Sequence, residues 1–215
     1  MVIQELIASW FNQAITKTVV ALDLETGGLN DATYKTDPKI PHPLIGAQFY
    51  PILEITARFF DGNLVEIREP MTFVIHHELA DLHEKCSQWS IDKFADTLFI
   101  ECSESELTLK DVEKLVTERV KEIGNKEAYI LGNSVGLDKA FIAHQMDHLH
   151  ESLHYRIIDV STMKTLFGFM YGENAKYKKS EAHRTEQDVE ETLGELRFYL
   201  NNFVKSREVV ARQCI

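Results

Sequence analysis

Apolar and polar positions along the chain follow two rhythms, one of strands and one of helices. Val19-Val20-Ala21-Leu22 is an unbroken apolar run of strand length, and it leads into Asp23-Leu24-Glu25-Thr26-Gly27-Gly28, where a glycine turn ends it. The stretch from Asn30 to Gln48, with Pro38, Pro41 and Pro43, reads as a long loop between strands. Ile52 to Phe60 and Leu64 to Ile67 flank the hairpin signal Asp61-Gly62-Asn63, and Met71 to Ile75 extends the second arm. Three consecutive antiparallel strands are expected from this.

The helical rhythm takes over further along. Thr108 and Asp111 have capping-box spacing, and Leu109, Val112, Val116, Val120 and Ile123 recur at steps of three and four. Ala128 to Leu131 is a buried-strand candidate, followed by a helix from about Leu137 to Leu149. Ile157-Ile158-Asp159-Val160 is another strand, and Ser161 is placed to cap a helix running to about Phe169. Thr185 and Asp188 repeat the capping-box spacing ahead of Val189, Leu193, Leu196, Leu200 and Phe203 on one helix face. Three strands followed by alternating helices and strands imply an α/β fold with a mixed sheet covered by helices. No compositional shift divides the chain, so residues 1–215 read as one domain with a core over about 18–204.

Charge narrows the choice of partners. Lys and Arg number 23 against 34 Asp and Glu, a formal net charge of −11. That balance argues against a broad basic face gripping long nucleic acid. Apolar runs fall far short of the roughly 20 residues a membrane helix needs, and the first eleven residues lack a basic leader. Cys86, Cys102 and Cys214 have no paired spacing, which fits a reducing compartment and a cytoplasmic protein.

The candidate chemistry sits at element ends. Asp23 and Glu25 lie two apart at a strand end, so both carboxylates share one face and suit a divalent metal; a polar strand end entering solvent fits the same residues. Asp138 opens a helix after Gly132-Asn133-Ser134-Val135-Gly136, where a helix-dipole role is the ordinary reading. His183 and Asp188 flank a helix start, where capping competes with a shared site. His144, His148, His150 and His154 raise the alternative of a zinc clamp, but Gln145 stands where a zinc protease needs glutamate, and a solvated helix face is the better reading. Lys176, Lys178 and Lys179 form a basic run ahead of His183, read as a solvated loop that could attract a nucleic-acid backbone.

Taken in order, D-x-E at the first strand, an Asp at a later helix start and H-x4-D before the last long helix resemble the DEDD-type 3′–5′ exonucleases of the histidine subclass, on the ribonuclease H-like fold. Three segments, Leu131 to Asp138, Leu153 to Thr162, and His183-Arg184 through Asp188 into Glu195-Leu196-Arg197-Phe198-Tyr199, look like oligoribonuclease. The resemblance implies a catalytic set of Asp23, Glu25, Asp138, His183 and Asp188. The four acids would hold two Mg2+ or Mn2+ ions and His183 would accept the attacking water's proton. It further implies a cytoplasmic homodimer acting on short single-stranded RNA, with DNA ends as the alternative substrate and a non-catalytic interaction module as the alternative class. Ser134, Arg156 and Ser161 match phosphate-contacting positions, Tyr155 a residue lent by the partner subunit, and Leu29 a wedge between bases; Trp89 is a base-stacking candidate or a core tryptophan. The chain departs from the family in its Thr26-Gly27 after the D-x-E glutamate, which looks more like the proofreading exonucleases and ribonuclease T. It departs again in Phe94 where a histidine is expected, and in its longer Asn30–Gln48 loop.

Overall fold

A computed structural model gives the fold and describes residues 2–124, 126–178 and 184–213. Helix α1 (Val2–Ile15) precedes β1 (Thr18–Thr26), and a four-residue helix α2 (Gly46–Phe49) leads into the hairpin of β2 (Ile52–Asp61) and β3 (Glu66–Val74). Three short helices follow, α3 (Leu79–Lys85), α4 (Gln88–Phe94) and α5 (Leu98–Glu104), and then α6 (Leu109–Gly124) and β4 (Ala128–Gly132). The rest of the chain forms α7 (Gly136–Gln145), α8 (Asp147–Ser152), β5 (Leu153–Asp159), α9 (Val160–Tyr171), α10 (Thr185–Phe203) and α11 (Arg207–Gln213). The strands make one sheet in the order β3-β2-β1-β4-β5, with β1–β2 and β2–β3 antiparallel and β1–β4 and β4–β5 parallel. This is the mixed α/β arrangement expected from the alternation of elements.

Strand period two divides β1 between two cores. Val20, Leu22 and Leu24 join Val112, Val116 and Val120 of α6 and Phe141 and Ile142 of α7 on one face. Val19 and Ala21 join Val189, Leu193, Leu196 and Tyr199 of α10 on the other. Burying each of the larger side chains is worth about 1.5–3 kcal/mol, enough to fix the register because a one-residue slip would exchange the faces. Asp23 and Glu25 continue the Val19–Ala21 parity and therefore face α10. Among the described residues no helix is long and apolar enough to cross a membrane.

Several local expectations change. The helix foreseen over Leu137–Leu149 is two helices broken at Met146, which is buried, while Gln145 donates to the Ala47 and Tyr50 carbonyls (2.8 and 2.9 Å). Asp159, not Ser161, caps α9, accepting from the Ser161 N–H. Thr185 is the first residue of α10 and forms no capping box with Asp188; its hydroxyl is bonded to Glu54 and Thr56 instead. The Thr108–Asp111 box is present, with reciprocal bonds of 3.0 and 3.3 Å. The long loop is anchored by buried Ile40, by Tyr50 donating to Asp37 (2.6 Å) and by Lys39 donating to the Cys86 carbonyl (2.8 Å). Helices α3 to α5 are too short to show a helical period, and they close a third core around Leu53, Leu82, Cys86, Phe94, Leu98, Phe99 and Cys102.

Candidate active site

β1 pairs with β4 only from Thr18 to Ala21, so past Leu22 its edge toward β4 has no ladder partner. The Leu24 N–H exposed there donates instead to Asp138 Oδ1 of α7 at 3.0 Å, which satisfies a buried donor and fixes a carboxylate beside the strand end. Gly132 makes the approach possible: a Cβ there would lie 2.7 Å from Val135 Cγ2 and 2.9 Å from the Leu22 carbonyl oxygen. Chain direction diverges at the carboxyl ends of β1 and β4, the kind of crevice where α/β sheets place ligands.

Asp188, in the first turn of α10, reaches the same crevice from the opposite face. Asp23, Glu25 and Asp188 each offer a carboxylate oxygen, all within 4.8 Å of one another. Asp138 lies outside that triplet, with one oxygen committed to Leu24, yet its field is felt there. Asp23 is held well above the usual carboxylate range by burial first, then by Asp138, Asp188, Glu25 and Glu54. Glu25 is pushed up to about 8 by burial, then by Asp188, Glu54 and Asp138, with Arg184 opposing. Asp138 is raised to about 7, chiefly by burial, against the lowering bond from Leu24. Carboxylates crowded in this way either bind protons or share cations. Hard oxygen donors converging from β1 and α10 fit Mg2+ or Mn2+ and would not suit a soft metal.

A second acidic group, unmarked in the sequence reading, holds this arrangement. Glu54 stands directly opposite Glu25 in the β1–β2 register and is almost fully buried. It accepts from Arg184 Nη2 (2.6 Å) and Nε (3.2 Å), and from the Thr185 N–H (3.0 Å) and hydroxyl (2.9 Å). Arg184 also donates to both Glu101 oxygens at 3.0 and 2.8 Å. The Thr185 hydroxyl continues through Thr56 to Thr72, each step 2.8 Å. The start of α10, and Asp188 with it, is thereby clamped to β2 and α5. A glutamate within the apolar Ile52-Leu53-Glu54-Ile55 run was the available signal.

The remaining described candidates fall in three places: the turn after β1, the ends of β4 and β5, and the middle of β5. Leu29 is 67% exposed and follows the turn in which the Gly27 N–H donates to the Pro51 carbonyl. Trp89 is 57% exposed, so it is a surface tryptophan; its helix α4 docks on that turn through the Ser87 N–H to the Gly27 carbonyl and the Ser90 hydroxyl to the Thr26 carbonyl. Ser134 and Ser161 place their hydroxyl oxygens 3.2 Å apart. Tyr155 and Arg156 sit on edge strand β5 where its pairing with β4 skips from Leu153 to Ile157, a bulge that turns both side chains outward. The Arg156 guanidinium lies 5.2 Å from the Tyr155 ring centre. His183, Lys179 and Cys214 lie outside the described residues. The histidine alternative fails because the break at Met146 puts His144 and His148 on different helices, while His154 stacks on Tyr129 at 4.1 Å.

Comparison with known proteins places this geometry. Residues 20–196 match the family model described as Exonuclease. The chain is 37% identical over 151 residues to a probable oligoribonuclease of Schizosaccharomyces pombe, spanning 69% of this chain and 60% of that protein. It is 34% identical over 160 residues to an oligoribonuclease of Corynebacterium glutamicum, covering 71% of each. Among solved structures, the Mg2+- and Mn2+-bound form of S. pombe Pop2p superposes with a TM-score of 0.63 at 14% identity over 94% of this chain and 90% of that one, a likeness of fold.

Proposed function

Because this chain belongs to the exonuclease family, we propose that it is a metal-dependent 3′–5′ exonuclease that removes nucleoside 5′-monophosphates from the 3′ end of short RNA. The observation that carries the reading is the convergence of Asp23, Glu25 and Asp188 within 4.8 Å, with Asp138 beside them, in a crevice where burial and repulsion oppose four free negative charges. An interaction module freed from catalysis has no physical reason to retain such a cost.

Asp23, Glu25, Asp138 and Asp188 would hold two divalent ions, Mg2+ or Mn2+. Bound there, the ions would offset the phosphate charge and lower the pKa of the attacking water. To hold such ions Glu25 and Asp138 would have to give up their protons. His183, next in sequence to the clamped Arg184, takes the water's proton, a role that suits an imidazole at neutral pH. Leu29 wedges between bases and Trp89 stacks on one, and Ser134, Arg156 and Ser161 hold the 5′ phosphate, which limits substrate length. The protein works as a homodimer in which Tyr155, 70% exposed, enters the partner's site. Exposed Leu166, Phe169 and Met170 on the neighbouring helix α9 supply the apolar surface such a contact needs.

The test uses 5′-end-labelled RNA and DNA oligonucleotides with Mn2+, Mg2+ or chelator. The reading expects RNA shortened stepwise from its 3′ end with metal, no cleavage with chelator, and none by Asp188→Asn with its fold retained by circular dichroism. Metal-independent cleavage, or wild-type rates in Asp188→Asn, would overturn it.

A further inference from the structure

Asp159 behaves as more than the cap of α9. An N-cap aspartate ordinarily serves the first turn of its own helix, and Asp159 does so through the Ser161 N–H at 2.9 Å. The same oxygen, Oδ1, also accepts from the Ser161 hydroxyl at 2.6 Å and from the Ser134 N–H at 3.0 Å. Ser134 belongs to another element, the turn between β4 and α7, 25 residues earlier in the chain. Its backbone φ of 57° is left-handed, a conformation unfavourable for a residue bearing a side chain and one that needs fixing from outside. Asp159 fixes it from one side. On the other, the preceding Asn133 is tied to buried Glu195 at 2.9 Å.

The result is a directed chain of hydroxyls. Ser134 Oγ donates to Ser161 Oγ at 3.2 Å, and Ser161 Oγ donates to Asp159. Ser134 is exposed and Ser161 half-buried, so the pair opens to solvent. The longest bond in the chain is the outermost. An arriving phosphate oxygen can therefore accept a hydrogen bond from the Ser134 hydroxyl, and the Ser161 hydroxyl can turn to a second phosphate oxygen while Asp159 keeps the two backbone N–H groups.

We infer that Asp159 is a positioning residue for recognition of a 5′-terminal phosphate, holding the Ser134 and Ser161 hydroxyls side by side and the Ser134 backbone in its left-handed state. The inference rests on the placement of the 5′ phosphate at Ser134, Arg156 and Ser161 given above. It adds a specificity determinant that does not itself touch the substrate.

Steady-state kinetics on an RNA dinucleotide carrying either a 5′-phosphate or a 5′-hydroxyl tests it, with wild type, Asp159→Ala and Asp159→Asn. Wild type should favour the phosphorylated dinucleotide. Asp159→Ala should raise KM for that substrate about tenfold, as expected for loss of hydrogen bonds to a charged group, with kcat and the 5′-hydroxyl KM within about twofold. Asp159→Asn keeps an acceptor oxygen without its charge and should raise the same KM about threefold; it carries the test if the alanine variant does not fold. A wild type indifferent to the 5′ phosphate would overturn the phosphate site and the role of Asp159 together. A preference that survives in both variants, or an equal loss on both substrates, would overturn the role of Asp159 alone.

Discussion

Proton occupancy at single carboxyls sets the behaviour of the site. Glu25, pushed up to about 8 in the folded chain, has an unfolded value near 4.3, so between those values the folded form binds the extra proton. Stability contributed by that proton is present at low pH and is lost as pH rises through the window. Asp138, raised to about 7, acts in the same direction. In chelator the melting temperature should fall between about pH 5 and pH 8, and Glu25→Gln should flatten the fall; calorimetry showing a level profile in the unmutated protein would contradict the crowded-carboxylate picture. Mg2+ or Mn2+ competes with the same protons and should recover the loss at the alkaline end. Parity put Asp23 and Glu25 on one face, and their role followed only from the order of D-x-E, Asp and H-x4-D that resembles the exonuclease family. Glu54 was not legible, because its meaning depends on standing opposite Glu25 across a strand pairing that no local pattern encodes.

The elements are arranged around the start of α10. Thr185 and Asp188 have capping spacing, yet the threonine hydroxyl goes to Glu54 because that buried carboxylate requires partners more strongly than an exposed helix end does. Glu54→Ala should remove the acceptor for Arg184 and for the buried Thr185 N–H and hydroxyl and destabilise the fold by about 1–3 kcal/mol, the cost of leaving a buried donor unsatisfied. Glu101→Gln changes a half-exposed partner of the same arginine and should cost less than about 1 kcal/mol. Urea unfolding of the two variants checks the contrast, and equal costs would refute the clamp. Sequence periodicity located the sheet and α6 well because long amphipathic runs carry the signal. It passed over α3 to α5, at seven residues each, and merged α7 with α8, since only a tertiary contact turns Met146 inward.

At the scale of the molecule, a net charge of −11 and an acidic crevice belong together. Two divalent cations would add four charges and leave −7, which still disfavours a long duplex and suits capture of one chain end. In the proposed reading Leu29 and Trp89 meet the bases while Ser134, Ser161 and Arg156 meet the 5′ phosphate, so a long substrate would forgo the second of these contacts. The most direct measurement is the rate on a 5′-phosphorylated RNA dinucleotide beside that on a 20-mer of the same sequence type, with Mn2+ and at equal 3′-end concentration. A dinucleotide cleaved at least about tenfold faster is the predicted result, given that a lost charged contact at the 5′ end costs about that much. Equal rates on the two substrates would contradict it.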